Sequence, residues 1–234
     1  MNTAIILSGG NGSRAGGDIP KQYTYLGSNM MVTYALRPFL FCEYIDAIYI
    51  AASDEWRDEI MQDIRSLDNH ISKPIEFVAP GAIRQLSILN ALEKIAASLS
   101  DDELRRSSVI IHDGARPYLK ESLVSKIYAA FDGHDGVAPA LPVTDTLYTS
   151  KDSKVLSGRL NRNEIFALQS PELFRLEPYY NALKALLPDK IMQITGSCEP
   201  AVTSGLDIAL IDGDPINRKI TSAEDLVNWL NPRS

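Results

Sequence analysis

Short apolar runs alternate along this chain with amphipathic segments of helical period. Runs of strand length lie near residues 3–7, 46–52, 75–79, 108–112 and 136–140. Segments with apolar residues three and four positions apart lie between them, near residues 30–41, 54–67, 84–98 and 120–131. This order predicts an α/β fold, in which helices cover both faces of a mainly parallel twisted sheet.

The alternation of strand-length runs and helical segments is interrupted after Pro139. Residues 142–162 are polar and rich in turn formers, with no helical period. We expect a projecting arm over 141–163, while a plain long surface loop is the alternative, although such loops are uncommon in compact domains. The alternation then resumes with a strand near 165–168, a helix near 176–187, a strand near 206–211 and a helix from Ser222. With no internal repeat, the pattern predicts a single domain over 1–234.

Composition narrows the function classes. The chain has 234 residues, 45% of them hydrophobic, enough for one full core. Its formal charge of −7 disfavours a nucleic-acid partner, because proteins that neutralise a phosphate backbone usually carry a basic face. Cys42 and Cys198 are far apart and lack CxxC spacing, as expected in a reducing compartment. Without a signal peptide or a run of membrane-spanning length, we expect a cytoplasmic protein with no membrane partner.

The first candidate for chemistry is the glycine-rich loop that follows the first strand. Residues 7–22 read LSGGNGSRAGGDIPKQ and contain two cations, Arg14 and Lys21. Glycine lets the backbone approach phosphate closely, and free amides with fixed positive charge suit a nucleotide triphosphate. A glycine-rich surface turn without function is the alternative.

Two other phosphate-binding loops fit less well. The P-loop pattern GxxxxGK[ST] is absent. Gly10, Gly12 and Ala15 match the dinucleotide pattern GxGxx[GA], but residues 30–36 lack the acid that such a site requires. Pro20 would also stop the long helix that a dinucleotide site opens. The loop is therefore more typical of a nucleotidyltransferase than of a nicotinamide dehydrogenase.

A second candidate follows the strand over 108–111. Asp113 would lie at the carboxyl end of that strand, where a carboxylate could contact magnesium or a ribose. Alternatively, Asp113 caps the next turn and pairs with Arg116. We expect His112 to be a packed or orienting residue, because His70 and His134 form no visible cluster with it.

A third candidate, Gly81 to Ser87, opens an amphipathic helix. Its backbone amides could meet a base edge or a phosphate, and Ser87 could bond a ligand or its own helix. Ligands in parallel sheets bind at the carboxyl ends of the strands. The loops that start at Ser8, Gly81 and Asp113 should therefore converge.

Six segments together resemble a known family. They read, in order, GGNGSRAGGDIPKQY, GAIRQLSILNAL, HDGARPY, PVTDT, NRNEIFALQSPELF and NRKITSAEDL. In this order and spacing, from Ala4 to Leu226, the chain resembles the sugar-alcohol-phosphate cytidylyltransferases, which act on 2-C-methyl-D-erythritol 4-phosphate or ribitol 5-phosphate. The resemblance implies a Rossmann-like nucleotidyltransferase fold. It also implies transfer of CMP from CTP to a polyol phosphate with release of pyrophosphate, a Mg2+ cofactor, and a homodimer whose arm, residues 141–163, reaches the partner.

The resemblance also implies roles for individual residues. The catalytic cations would be Arg14, Lys21 and Lys219. The CTP-binding residues would be Ser8, Gly9, Gly10, Gly12, Gly81, Ala82, Ser87 and Asp113. The residues that hold the acceptor would be Arg116, Thr146, Arg162, Ser170, Thr195 and Lys219. Asp113 would also be the metal ligand.

The chain departs from the family pattern in the acceptor region. Gly196 follows Thr195 where an aspartate is usual, and residues 169–172 read QSPE in place of QTPQ. The pair Gly9 and Gly10 is more similar to the ribitol 5-phosphate branch, whereas HDGARP and PVTDT are more similar to the methylerythritol branch. We favour 2-C-methyl-D-erythritol 4-phosphate as the acceptor. The alternatives are ribitol 5-phosphate or a related pentitol phosphate, and a CTP-binding protein without turnover.

Overall fold

The computed structural model describes residues 1–10, 19–68 and 71–230. Its α-helices are Met31–Leu40 (α1), Asp54–Leu67 (α2), Arg84–Ala97 (α3), Asp101–Arg106 (α4), Glu121–Ala129 (α5), Leu176–Lys184 (α6), Cys198–Thr203 (α7) and Ala223–Leu230 (α8). Its strands are Asn2–Leu7 (β1), Tyr25–Leu26 (β2), Asn29–Met30 (β3), Ala47–Ala51 (β4), Ile75–Val78 (β5), Ser108–Asp113 (β6), Gly136–Pro142 (β7), Tyr148–Thr149 (β8), Gly158–Arg159 (β9), Phe166–Leu168 (β10), Glu172–Arg175 (β11) and Ile208–Asp212 (β12). Short 3-10 turns form at Lys21–Tyr23, Arg162–Glu164 and Lys190–Gln193.

The central sheet is mainly parallel, which confirms the predicted fold class. Its strands follow the order β7, β11, β6, β1, β4, β5, and β7 also pairs with β10 and β12. Strands β4 and β6 are buried at every residue, because parallel strands in the middle of such a sheet have helices on both sides. Their nearly continuous apolar sequences, AIYIA and SVIIHD, follow from that double burial.

Two apolar cores flank the sheet. One packs α1, α2 and α5 against it through residues such as Phe39, Ile60 and Val124. The other packs α3, α6 and α7 against it through residues such as Leu92 and Tyr179. Each helix contributes one apolar stripe, so the amphipathic period seen in the sequence is the period of this packing.

The predicted strands and helices are all present, with ends that differ by no more than a few residues. The sequence reasoning missed α4, α7, β11 and the short ribbon of β2 and β3. Helix α4 has a capping box between Ser100 and Glu103, which the sequence displays as S-x-x-E. Strand β11 had no comparable signal, because its four residues directly precede α6 and lack a flanking turn that separates the two.

Strand β11 runs antiparallel between β6 and β7. Phe174, on β11, is fully buried and stacks on Tyr179 of α6, with ring centroids 4.1 Å apart. Glu172 begins the strand and lies opposite Ile111 of β6. An acidic side chain is thereby brought into the interior close to the end of β6.

The segment predicted as an arm contains a two-stranded antiparallel ribbon of β8 and β9. Its residues are largely exposed in the single chain, with Val155 and Leu156 each 67% exposed. Strand β10 pairs with the end of β7 and closes the base of the arm. Among the described helices, none is both long and apolar enough to cross a membrane.

Candidate functional site

The carboxyl ends of three parallel strands open into one cleft. Leu7 of β1 is in register with Asp113 of β6 and with Ala51 of β4, which is in turn in register with Val78 of β5, so the loops after these strands leave the same edge of the sheet. The cleft has a volume of about 610 Å³. Its lining includes residues predicted from the sequence, namely Ser8, Gly9, Gly10, Lys21, Gly81, Ala82, Ser87, Asp113, Thr195 and Lys219. The loops starting at Ser8, Gly81 and Asp113 therefore converge, as expected.

The other predicted site residues lie elsewhere. Gly12 and Arg14 belong to residues 11–18, which lie outside the described part of the chain. Arg116 and Ser170 stand directly behind Asp113, and both contact it. Thr146 and Arg162 lie in the arm, around a separate hollow of about 310 Å³.

Two side chains at the end of the glycine-rich loop, Gln22 and Tyr23, hold the start of that loop in place. The Gln22 side-chain amide donates to the carbonyl oxygens of Ser8 and Gly10, at 2.6 Å each. The Tyr23 hydroxyl donates to the Ser8 carbonyl at 2.7 Å. Both side chains are buried, so these bonds are shielded from water. They bring Lys21, which precedes Gln22, to the edge of the cleft; the sequence reasoning did not single out Gln22.

Close packing between two loops explains why glycines occur here. A Cβ atom on Gly9 would overlap the ring of Pro80, and one on Gly81 would overlap Leu86. The Gly81 amide donates to the Ser87 hydroxyl oxygen at 2.9 Å, and that hydroxyl donates to the Ile83 carbonyl at 3.2 Å. Ser87 therefore fixes the turn before α3 while it lines the cleft.

An ion cluster around Asp113 forms the floor of the cleft. The Asp113 Oδ1 atom lies 3.1 Å from Arg84 Nη2, and Oδ2 lies 3.0 Å from Lys219 Nζ and 3.6 Å from Arg116 Nε. Asp113 therefore pairs with Arg116, as one alternative from the sequence expects, and it also lines the cleft, where the predicted contact with magnesium or a ribose stays a prediction. Burial alone would raise the pKa of Asp113, but Arg84, Lys219 and Arg116 outweigh it and hold that pKa well below its usual range.

Arg84 is the main site residue that the sequence reasoning did not predict. It lines the cleft, its Nε donates to Asp113 Oδ1 at 3.1 Å, and its Nη1 donates to the Ser197 hydroxyl. An arginine at the first position of a helix is usually exposed, and no local signal marks this one. Its role depends on Asp113 and Ser197, which are distant in sequence and become neighbours only in the folded chain.

Glu172 stands behind Arg84, away from the lining of the cleft. Its Oε2 atom lies 3.8 Å from Arg84 Nη2, and the side chain is almost fully buried. Burial raises the pKa of Glu172 to about 7, although the charge of Arg84 opposes this shift. The sequence showed Glu172 only as a departure within QSPE.

His112 is a packed residue, as expected, and its neighbours orient Asp113. Burial lowers the pKa of His112 to about 3, so the ring is neutral at pH 7. Its Nε2 lies 3.3 Å from the Arg116 carbonyl, and its Nδ1 lies 3.1 Å from the Ser170 hydroxyl. The Ser170 oxygen also accepts from the Asp113 amide at 3.1 Å. Ser170 thus supports Asp113 from behind.

Arg116 connects the floor of the cleft to the segment that carries Lys219. Its Nη1 donates to the Asn217 carbonyl at 2.8 Å. The Asn217 amide in turn donates to the Ser170 carbonyl at 2.7 Å. These bonds hold residues 217–219 beside Asp113, so the position of Lys219 is determined by the same cluster.

The residues of the cleft could hold a magnesium ion through one carboxylate, that of Asp113. Within the described ranges, no three His, Cys, Asp or Glu side chains come together to hold a metal. Asp113 is the acidic residue on the cleft lining, and its oxygens already contact cations. A single carboxylate suits a magnesium ion that keeps waters and takes most of its other ligands from phosphates. The site therefore fits an ion that enters with a nucleotide.

The whole chain is similar to one protein family. The family model described as 2-C-methyl-D-erythritol 4-phosphate cytidylyltransferase (IspD) matches residues 2–229. A protein of that name from Cereibacter sphaeroides (strain KD131 / KCTC 12085) is 32% identical over 224 residues, which cover 95% of this chain and 92% of that protein. A bifunctional enzyme IspD/IspF from Maricaulis maris (strain MCS10) is 31% identical over 226 residues, which cover 95% of this chain.

The chain spans about half the length of its bifunctional relatives, 54% of the Maricaulis maris protein and 52% of the one from Chelativorans sp. (strain BNC1).

Solved structures share its fold. A 4-diphosphocytidyl-2C-methyl-D-erythritol synthase from Anaerococcus prevotii DSM 20548 has a TM-score of 0.79 at 24% identity and covers 98% of this chain and 94% of its own. The Francisella tularensis 2-C-methyl-D-erythritol 4-phosphate cytidylyltransferase has a TM-score of 0.77 at 23% identity, with 98% and 99% covered.

Replacing Asp113 tests how much the ion cluster contributes to the stability of the fold. Asp113→Asn leaves three cations around a neutral amide, and we expect it to lower the free energy of unfolding at pH 7 by about 3 kcal/mol, because a broken buried ion pair leaves charges uncompensated. Since the folded-state pKa is depressed, this contribution is present above the unfolded pKa of about 3.9 and is lost only as the pH falls further towards the folded value. Urea unfolding measures both effects.

The matched control for this substitution is Asp212→Asn, at an exposed position on β12. We expect it to change the stability by less than about 0.5 kcal/mol. Equal losses in the two variants would show that Asp113 does not organise the cluster.

Proposed function

The chain belongs to the 2-C-methyl-D-erythritol 4-phosphate cytidylyltransferase family, and on this premise we propose that it is a CTP-dependent nucleotidyltransferase. The proposed reaction transfers CMP from CTP to 2-C-methyl-D-erythritol 4-phosphate, forms a CDP-alcohol and releases pyrophosphate. One observation carries the proposal. Three cations surround one carboxylate at the floor of a cleft whose wall is built from two touching glycine loops.

The wall of the cleft suits a nucleoside. Gly9, Gly81 and Ala82 line it, and residues this small leave room for a flat base and expose main-chain atoms to it. The bonds from Gln22 and Ser87 hold this backbone in place before any ligand binds. A backbone that is already ordered loses little conformational entropy when a ligand binds, and this favours binding.

The floor suits two anions that must meet. Arg84, Arg116 and Lys219 exceed the negative charge of Asp113, and Lys21 adds a further cation on the lining. Such a surface offsets the repulsion between the triphosphate of one substrate and the phosphate of the other. Asp113 offsets the repulsion among these cations and lies where a ribose hydroxyl or a magnesium ion could be bound.

The chemistry requires positioning more than proton transfer. An acceptor phosphate is ionised at neutral pH, so one of its oxygens can attack the α-phosphorus of CTP directly. A new P–O bond forms in line as the bond from the α-phosphorus to the bridging oxygen of the β-phosphate breaks, and pyrophosphate leaves with the negative charge. Lys21 and Arg14 would stabilise the charge on the α-phosphate, and Lys219 would hold the acceptor phosphate. Magnesium, bound with the triphosphate beside Asp113, would neutralise charge on the leaving group.

The acceptor is chosen by the Thr195 end of the cleft. Thr195 lines the cleft, and its amide donates to Glu199 at 3.1 Å. Family membership favours 2-C-methyl-D-erythritol 4-phosphate over ribitol 5-phosphate. Gly196 leaves open space beside this loop, since no atom lies within 4 Å of a Cβ built there. Polyol hydroxyl groups could be distinguished here by hydrogen bonds that one acceptor makes and another cannot.

The arm supports the proposal of a homodimer with shared sites. Thr146 and Arg162 lie away from the cleft of their own chain and surround the second hollow with Arg159. The arm and its base also expose large apolar side chains, namely Tyr148, Val155, Leu156, Phe166 and Leu168. An exposed apolar surface of this kind is typical of a protein interface. We therefore propose that the arm covers the cleft of a second copy, and that the enzyme acts in the cytoplasm.

Pyrophosphate release tests the proposed function. With CTP and magnesium, we expect the highest kcat/KM with 2-C-methyl-D-erythritol 4-phosphate and little release with ATP, GTP or UTP. Faster release with ribitol 5-phosphate would favour the wall and capsule alternative. CTP binding without release from any acceptor would indicate an inactive binding protein, and thermal stabilisation by NAD but not CTP would indicate a dehydrogenase.

Lys21 allows a test of the transition-state role. We expect Lys21→Ala to lower kcat by about 100-fold and to weaken CTP binding by less than about fivefold, because a cation on the α-phosphate acts mainly as charge develops. Single-turnover kinetics and calorimetry measure the two quantities. Lys126→Ala, an exposed lysine on α5, is the control. Loss of CTP affinity with unchanged kcat would contradict the assignment.

Mixed dimers test whether the arm acts on the partner. Lys21→Ala and Arg162→Ala should each be nearly inactive. When the two are co-expressed, each mixed dimer regains one intact site, so we expect about a quarter of wild-type activity from a random mixture. Pairing Lys21→Ala with a chain that carries both substitutions is the control and should stay inactive. No recovery in purified mixed dimers would show that Arg162 acts within its own chain.

A further inference from the structure

We infer that Glu172 is a positioning residue that holds Arg84 between Asp113 and Ser197 and thereby fixes the acceptor end of the cleft. The inference rests on the proposed function in so far as that end binds the acceptor. Glu172 does not line the cleft, so any effect on the reaction must pass through its neighbours. Its neighbours on the cleft side are Arg84, whose Nη2 lies 3.8 Å from Glu172 Oε2, and Ser197.

The Arg84 guanidinium faces three acceptors that lie on three separate segments of the chain. Its Nε donates to Asp113 Oδ1 at the end of β6, and its Nη1 donates to Ser197 before α7. Its Nη2 lies 3.1 Å from Asp113 Oδ1 and 3.8 Å from Glu172 Oε2, at the start of β11. A planar guanidinium with donors in fixed directions can satisfy such a set at once, which an ammonium group cannot. Arg84 therefore links the nucleotide side of the cleft to its opposite end.

Ser197 is the link to the acceptor side. It is 1% exposed and lies two residues after Thr195, which lines the cleft. The bond from Arg84 restrains Ser197, so the orientation of Arg84 controls the loop that presents Thr195. On the other side of this loop, the Thr195 amide donates to Glu199 at 3.1 Å, while Arg84 bonds to both Ser197 and Asp113 and so ties the loop to the end of β6.

A structural role alone does not explain a carboxylate at position 172. The Oε2 atom of Glu172 is buried without a hydrogen-bond partner among the described residues, and such a group destabilises a fold unless it is paired. A glutamine of the same shape would fill the space without a charge. In its ionised form the carboxylate adds a second attraction at Arg84 Nη2, the atom that also faces Asp113, and so strengthens the hold on the guanidinium.

The test compares four proteins, namely the wild type, Glu172→Gln, Ser197→Ala and the variant with both substitutions. We expect Glu172→Gln to raise the KM for the acceptor by about tenfold, the size of one lost charge-assisted contact, and to leave the KM for CTP within about twofold. Ser197→Ala should act in the same direction. Because both act through Arg84, their effects on the acceptor KM should not multiply in the double variant.

Hydrogen exchange followed by mass spectrometry provides a readout that does not depend on activity. Amides of residues 194–199 should exchange faster in Glu172→Gln and in Ser197→Ala than in the wild type, while the core strands keep their protection. Glu93→Gln makes the same chemical change at an exposed position on α3, the helix that begins with Arg84, and should match the wild type in every measurement.

The outcomes separate the inference from the proposed function. Unchanged exchange in residues 194–199 and an unchanged acceptor KM in Glu172→Gln would overturn the positioning role, even with an active wild type. An inactive wild type would overturn the proposed function, while the exchange data would still decide whether Glu172 holds the loop. If Glu172→Gln fails to fold, Glu172→Asp decides, since it keeps the charge but withdraws it from Arg84. Faster exchange in residues 194–199 with a raised acceptor KM would support the positioning role, and wild-type values of both would overturn it.

Discussion

The pairing of Asp113 with Arg84, Arg116 and Lys219 is the interaction on which the rest of the site depends. A carboxylate that is only 8% exposed must be compensated, and here the compensation comes from three parts of the chain. Each cation is thereby brought to the floor of the cleft and kept at a defined distance from the others. Removing the central charge would leave the cations to repel one another, so binding capacity and local stability have the same physical source.

The cluster also explains why an antiparallel strand is inserted into a mainly parallel sheet. Strand β11 lies beside β6 and places Ser170 and Glu172 close to Asp113, one behind its backbone and the other behind Arg84. Ser170, just before the strand, and Glu172, its first residue, are two positions apart in an extended chain that passes directly beside β6. The strand thus serves as the support for the site as well as part of the core, through Phe174 and its stack on Tyr179.

The glycine loops and the ion cluster divide the cleft into two chemical regions. On one side, small residues and main-chain groups create a neutral wall that Gln22, Tyr23 and Ser87 hold rigid. On the other side, fixed charges create a surface for anions. A substrate that joins a flat base to a chain of phosphates has the same two regions, and this correspondence supports a nucleotide triphosphate as the ligand of the cleft.

The sequence by itself determined most of the strands and helices of the main sheet and their order, because burial on two faces requires continuous apolar runs and burial on one face requires a helical period. It also determined which loops meet, since the carboxyl ends of parallel strands share one edge, and the motifs identified the family. Only the tertiary structure decided that Arg84 lines the cleft and that Glu172 lies behind it. Asp113 lies 29 residues from Arg84, and Ser197 lies 113 residues away. Contacts over such separations leave no local pattern, because a side chain acquires its charge partners only when the strands that carry them are brought together.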